Sequence, residues 1–230
     1  MLAEAAEKYE TADFIPSDPV QFPHRYNRKQ DVEIAGLTTA LMSFGNRKQI
    51  IQKADALCAM MGASPWEYVT GGKFEKDFPR EDAGSFYRMM SRSVFREIFG
   101  KLYAAYDNAD SLEDYIMRFK GNAMEKMCEF LGVSSKSPQK KINMFLRWMV
   151  RKGSPVDLGL WESFNSRELI IPLDTHVAHA AKALGITQSA TYSLSSAKRI
   201  TKALSEVFPD DPVKGDFALF GLGVNAASKA

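Results

Sequence analysis

DVEIAGLTTALMSFG, running from Asp31 to Gly45, sets Val32, Ala35, Leu37, Ala40, Leu41 and Phe44 on one broad apolar face at helical spacing, and Gly45-Asn46 stops it. The same period governs the chain on both sides. Arg47 to Met61 reads as a second helix closed by Gly62, and Ser64-Pro65-Trp66 opens a short third, since proline is tolerated in a first turn. Gly71-Gly72 then makes a loop that carries Lys73, Lys76 and Arg80. From about Glu81 to Tyr106 the pattern predicts one long helix, rich in Phe86, Met89, Met90, Phe95, Ile98 and Phe99. Ser111 caps SLEDYIMRF with Asp114 three residues on, a capping-box spacing, and NAMEKMCEFLG follows as another helix. Alternating runs bounded by turn residues are nearly absent. An all-α protein is predicted.

Bulk composition narrows the class without choosing a function. A chain of 230 residues that is 45% hydrophobic can bury a real core in one large domain or two small ones. The formal charge of +2 is far from that of a dedicated nucleic-acid-coating domain, so any DNA contact must rest on a local patch. Cys58 and Cys128 are the only cysteines, each inside an apolar helical run, which fits reduced buried thiols and a cytoplasmic setting and allows no four-cysteine cluster. No stretch approaches eighteen uninterrupted apolar residues, and the first residues carry no signal-peptide pattern, so neither a membrane span nor secretion is expected.

The basic character concentrates in SKSPQKKINMFLRWMVRKG, which holds Lys136, Lys140, Lys141, Arg147, Arg151 and Lys152 and turns from loop to helix at about Pro138. GSPVDLGLWESFNSRELIIP reads as an irregular connection, interrupted by Gly153, Pro155, Gly159 and Pro172. Helices at Asp174 to Leu184, Ser195 to Phe208 and Pro212 to Leu222 finish the chain. Within IPLDTHVAHAAKALG, Asp174 stands where a helix beginning at Thr175 has its cap, a sufficient reason for an aspartate there. The other reading is a carboxylate held for chemistry.

Company at a distance gives that second reading its content. Leu173-Asp174-Thr175-His176-Val177 resembles the segment that carries the catalytic aspartate in the helix-hairpin-helix DNA glycosylases of base-excision repair, typified by endonuclease III; His179 stands where that superfamily usually has arginine. Upstream, Leu131-Gly132-Val133 and Lys140-Lys141-Ile142-Asn143-Met144-Phe145 resemble its hairpin, and aligning the asparagines puts Lys140 on the lysine nucleophile. DVEIAGLTTALMSFGNRKQIIQKADAL is similar to the early helical pair and DFALFGLGV to the closing helix. With FLRWMVRKGSPVDLGLW, these phrases most resemble an uncharacterised bacterial branch usually filed as a domain of unknown function.

The resemblance implies a two-lobed, endonuclease III-like helical fold, with one lobe at 29–150 and the other made from 1–28 plus 151–230, and a cleft that binds double-stranded DNA containing a damaged base. It implies a glycosylase, either alone or with lyase activity, in which Lys140 attacks the sugar and Asp174 stabilises charge, while Lys136, Lys141 and Arg147 meet phosphates. Lys141 competes with Lys140 for the nucleophile, because helical neighbours point about 100° apart. His176 is expected to anchor the aspartate's helix through hydrogen bonds. Three departures are visible: SSKSPQKK replaces the glycine-rich hairpin turn, the lysine-to-aspartate linker is longer than in endonuclease III, and the four cysteines that would hold an iron-sulfur cluster are missing. No cofactor, metal or obligate protein partner is implied.

His176 and His179, three apart on one helix, lack the further ligands of a zinc site. No G-x-S-x-G, P-loop or dinucleotide fingerprint is present, which argues against hydrolase, kinase and dehydrogenase readings. Phe145 or Trp148 could stack on or wedge against an extruded base, though helical spacing sends both to the core. Two other functions stand beside the enzyme: a non-catalytic DNA-binding module on the same scaffold, and a protein-interaction scaffold.

Overall fold

The computed structural model describes residues 1–227, and the last three residues of the tail lie outside it. It is an all-α protein whose only strands among the described residues are a two-stranded hairpin. The chain divides into two compact units, one of residues 1–16, 121–129 and 133–230, the other of residues 17–120 and 130–132. The sequence had suggested a boundary near Val150, whereas here the whole basic segment belongs to the unit that carries Asp174. No described helix is long and apolar enough to cross a membrane.

The second unit is organised by the Lys29–Met42 helix, which is buried along nearly all its length. Two acids near its start cap helices other than their own. Asp31 accepts from the Ser64 hydroxyl (2.9 Å) and the Trp66 amide (2.7 Å) at the start of the Pro65–Thr70 helix. Glu33, fully buried, accepts from the Leu112 and Glu113 amides (2.9 and 3.3 Å) at the start of the Leu112–Ile116 helix, and from the Tyr106 hydroxyl (3.0 Å). The first amides of a helix have no partner within it, so a carboxylate from elsewhere can satisfy them and meet the positive end of its dipole. At Ser111 the expected capping box takes another form: the hydroxyl accepts from the Asp114 amide and donates to the Asp114 carboxylate (2.5 Å), which therefore does not reach the cap's own amide.

The long helix expected from Glu81 begins only at Arg92 and runs to Asn108. Before it, Ser85–Tyr87 pairs with Met90–Ser91 in an antiparallel hairpin. The turn is tied by the Ser85 hydroxyl donating to the Arg88 carbonyl (2.6 Å), and Arg88 takes a positive φ of 52°, rare for a side chain of its size. Asp82 accepts from the Gly84 amide, and Ser91 caps the helix by accepting from Val94. These local bonds break the helical reading, because short polar side chains compete with the helix for backbone amides. The aromatic cluster survives the change: Phe78, Phe86, Phe95 and Phe99 pack with ring centroids 4.8–6.4 Å apart.

In the first unit, Leu2–Tyr9 forms a helix that packs along Gly215–Ala227. The approach is close enough that a Cβ at Gly221 would stand 2.0 Å from the Tyr9 ring, so only glycine fits there. Lys140–Val150 is a helix, Thr175–Ala183 another, and Leu194–Ser205 a third. Between the first two, 151–174 is almost all irregular, pinned by Leu158 and Trp161 amides donating to the Trp148 and Met149 carbonyls.

Candidate active site

Asp174 is a helix cap and more than a cap. Its Oδ1 accepts from the Val177 amide at 2.9 Å, the geometry of an N-cap, from an extended backbone that the buried Ile171, Pro172 and Leu173 hold in place. Its other oxygen, Oδ2, lies 3.3 Å from the Lys140 ammonium, with the two side chains 24% and 27% exposed. The pair therefore sits in contact with water without being surrounded by it.

Lys140 is the first residue of its own helix. The residue before it, Gln139, takes the left-handed conformation (φ 43°) and donates from its side chain to the Ser134 carbonyl, folding the polar loop back on itself. Asn143, buried, donates to the Pro138 carbonyl at 2.9 Å and fixes the other side of that loop. An ammonium at the positive end of a helix is poorly placed by the dipole, and the Asp174 carboxylate offsets it. Two helix starts thus meet at one ion pair.

Helical spacing extends the site inward. Arg147 follows Lys140 by seven residues and Arg151 follows Arg147 by four, on one side of the helix, and each meets acids. Arg147 pairs with Asp157 (3.3 Å) and, through a short contact, with Asp216, and stacks its guanidinium 4.4 Å from the Phe217 ring centroid. Arg151 pairs with Glu10 (2.8 Å), Asp211 (2.7 Å) and Asp157. Arg147 as a phosphate contact is therefore corrected: it is buried among carboxylates, where leaving it uncompensated is costly, and it holds the interior together.

Asp216 and Tyr192 complete the arrangement, and neither drew attention in the sequence. Burial pushes the Asp216 carboxyl up to about 6; Arg147 pulls it down, Asp174 pushes it up, and Lys140 pulls it down again. Burial, then the charge of Asp174, raises the Tyr192 phenol, while the Lys140 backbone acts in the opposite direction. An acid that opens an otherwise apolar helix was the one available signal for Asp216. For an exposed tyrosine in a serine-rich loop there was none.

The remaining residues separate clearly. Lys136 is exposed on the loop. Lys141 is partly buried, and burial followed by the neighbouring Lys140 lowers its amine to about 8. The anchoring role expected of His176 is corrected: its ring is exposed and, among the described residues, makes no hydrogen bond. His176 and His179 instead line a hollow of about 660 Å³ with Thr175, Ala180, Leu184 and Leu222, beginning one residue after Asp174. Among the described residues no group of three histidine, cysteine or carboxylate side chains could hold a metal ion. Phe145 and Trp148 are wholly buried, as their spacing indicated, with Phe145 edge-on to Trp161 at 5.3 Å.

Residues 18–225 match the model of a family described as a protein of unknown function (DUF2400), and the chain belongs to that family. No curated protein and no solved structure gives a significant match.

Proposed function

We propose that this member of the DUF2400 family is a DNA glycosylase of the helix-hairpin-helix kind, acting on a damaged base extruded from duplex DNA. The observation that carries the reading is the 3.3 Å contact between Lys140 Nζ and Asp174 Oδ2, made by residues 34 positions apart (174 minus 140) at the starts of two helices. Cleaving an N-glycosidic bond builds positive charge on the sugar, which a carboxylate stabilises. Lys140 attacks as the neutral amine, so one proton passes from Nζ to Asp174 Oδ2. The amine then bonds to the anomeric carbon, the bond to the base breaks, and the base leaves with the electron pair and takes up a proton. The base's proton comes from Asp174, which returns to the carboxylate; the sugar ring then opens, the C1'–O4' bond breaking as the nitrogen gives one proton to O4' and its lone pair completes the C=N bond of the Schiff base. Lys141 is the competing nucleophile, since burial and then the neighbouring Lys140 charge lower its amine to about 8, which favours the neutral, attacking form.

Supporting features are the exposed Lys136 and the hollow lined by Thr175 and His176, the two residues that follow Asp174 in the chain. Met89, 86% exposed at the hairpin turn, is an apolar side chain of the kind that inserts between base steps. A second reading, a non-catalytic DNA-binding module, is favoured by one observation: Lys140 and Asp174 satisfy each other as charges in the absence of any substrate. Borohydride trapping on duplexes with oxidised, deaminated and alkylated bases separates the two. The enzyme gives a covalent adduct that Asp174→Asn abolishes and that either Lys140→Ala or Lys141→Ala removes. Salt-sensitive binding with no product on any duplex assigns the module instead.

A further inference from the structure

We propose that the 17–120 unit holds a nucleoside-phosphate site in the hollow of about 760 Å³ along the Arg92–Asn108 helix. The inference uses residues of that unit alone and stands whether or not Lys140 and Asp174 are catalytic.

The wall is one face of the helix, with Arg96, Glu97, Gly100 and Tyr103 facing Phe74 and Arg80 from the preceding segment. The fold spends some of these groups and leaves others. Arg96 is consumed: it donates to the Glu75 and Phe78 carbonyls and pairs with the Glu75 carboxylate at 2.9 Å. The side chains of Arg80, Glu97 and Tyr103 make no hydrogen bond or ion pair among the described residues, and Tyr103 leaves 44% of its surface open. One unpaired guanidinium, one unpaired carboxylate and one open aromatic face thus line the same hollow.

Gly100 supplies a separate observation. A glycine inside a helix costs roughly 1 kcal/mol relative to alanine, and close packing does not demand it here, since a Cβ would meet nothing within 4 Å. The side chain that is missing would stand in the hollow. Space kept open at a cost to the helix is explained by something that enters it.

The free groups define the entrant. Arg80 takes an anionic group, with phosphate matching its fork of donors. Tyr103 takes the face of a flat ring. Glu97 only accepts, so the ring's edge must offer N–H donors, as the amino-bearing bases do, whereas uracil and thymine flank their single N–H with two carbonyls. A base carrying a phosphate combines all three, whether as a free nucleotide or as one residue of a strand.

The test is calorimetric titration of the full chain with AMP, GMP, CMP and UMP, with ribose 5-phosphate, and with a short single-stranded oligonucleotide. Binding of the amino-bearing mononucleotides several-fold tighter than UMP and ribose 5-phosphate is the expected result. Arg80→Gln and Glu97→Gln each weaken it roughly tenfold. Gly100→Leu fills the hollow and abolishes binding while raising Tm by roughly 2–4 °C, because leucine is the better helix former, so this variant does not fail merely by unfolding. Tighter binding of the oligonucleotide than of any mononucleotide assigns the site to a strand, and the reverse order assigns it to the free nucleotide. No binding of either at millimolar concentration, or binding that Gly100→Leu leaves intact, overturns the proposal.

Discussion

Asp174 offers a clean separation between holding the fold and doing chemistry, because its two oxygens have different partners. Oδ1 receives the Val177 amide at 2.9 Å, and Oδ2 faces Lys140 at 3.3 Å. Asparagine at 174 presents the same acceptor to Val177 and ranks with aspartate as a cap, so only the charge is lost. A half-solvated ion pair contributes about 0–1 kcal/mol, and the carboxylate's interaction with the helix dipole is of similar size. Asp174→Asn should therefore cost under about 1 kcal/mol, a fall in Tm of roughly 0–4 °C for a chain of this length. Asp174→Ala removes the cap as well, which adds about 1 kcal/mol. Thermal unfolding by circular dichroism at pH 7 gives the ranking, and borohydride trapping of the same samples gives the chemistry. The reasoning fails if Asp174→Asn is as unstable as Asp174→Ala, or if the asparagine variant forms adduct at the wild-type rate.

Further outcomes follow from the interior charges. Arg147→Met strands Asp216 without its guanidinium, leaves Asp157 with Arg151 alone, and should cost about 3–5 kcal/mol in urea unfolding, whereas Lys136→Ala, exposed on its loop, should leave the midpoint unchanged. The Asp216 carboxyl titrates near 6 in the fold against an ordinary value of 3.8, so the native state binds the extra proton between those limits. Stability from this group rises as pH falls from about 7 towards 4, by on the order of 3 kcal/mol, and is lost again as pH rises through 6; Asp216→Asn should flatten that part of the stability curve. Reductive methylation at pH 8, read by peptide mass spectrometry, should modify Lys140 more slowly than exposed Lys136 and show a titration of Lys141 centred near 8. Glu33→Ala leaves the Leu112 and Glu113 amides without their acceptor and the Tyr106 hydroxyl with the Gln30 carbonyl at 3.4 Å alone, and should destabilise by about 2–4 kcal/mol, with Glu33→Gln restoring part of it.

Where local rules agreed with tertiary demand, the sequence was readable almost to the residue. Asn46 and Gly62 bracket the Arg47–Met61 helix as cap and terminator, and Ser64-Pro65 opens the next. The Asp174 cap was legible for the same reason, whereas the helix expected from about Pro138 begins at Lys140, after a left-handed Gln139 that caps nothing. The hairpin at Ser85–Ser91 was missed because its phenylalanine and methionines fit a helical period, and the decisive bonds come from serine and aspartate side chains. Arg147 was misjudged as a phosphate contact on simpler grounds, and its neighbour Arg151 shares the same surroundings. A run of basic residues says nothing about which face turns inward, and the acids that neutralise them arrive from positions 10, 157, 211 and 216.

The two acids of the Lys29–Met42 helix have a consequence for the order in which the second unit assembles. Pro65–Thr70 and Leu112–Ile116, of six and five residues, are too short to persist alone in water. The local serines Ser64 and Ser111 take the Glu67 and Asp114 amides, but the Trp66, Leu112 and Glu113 amides find acceptors only once Asp31 and Glu33 are in position. Deuterium uptake at Trp66, Leu112 and Glu113 should therefore be as slow as that of the central helix itself, making three peripheral amides into reporters of the unit's global opening.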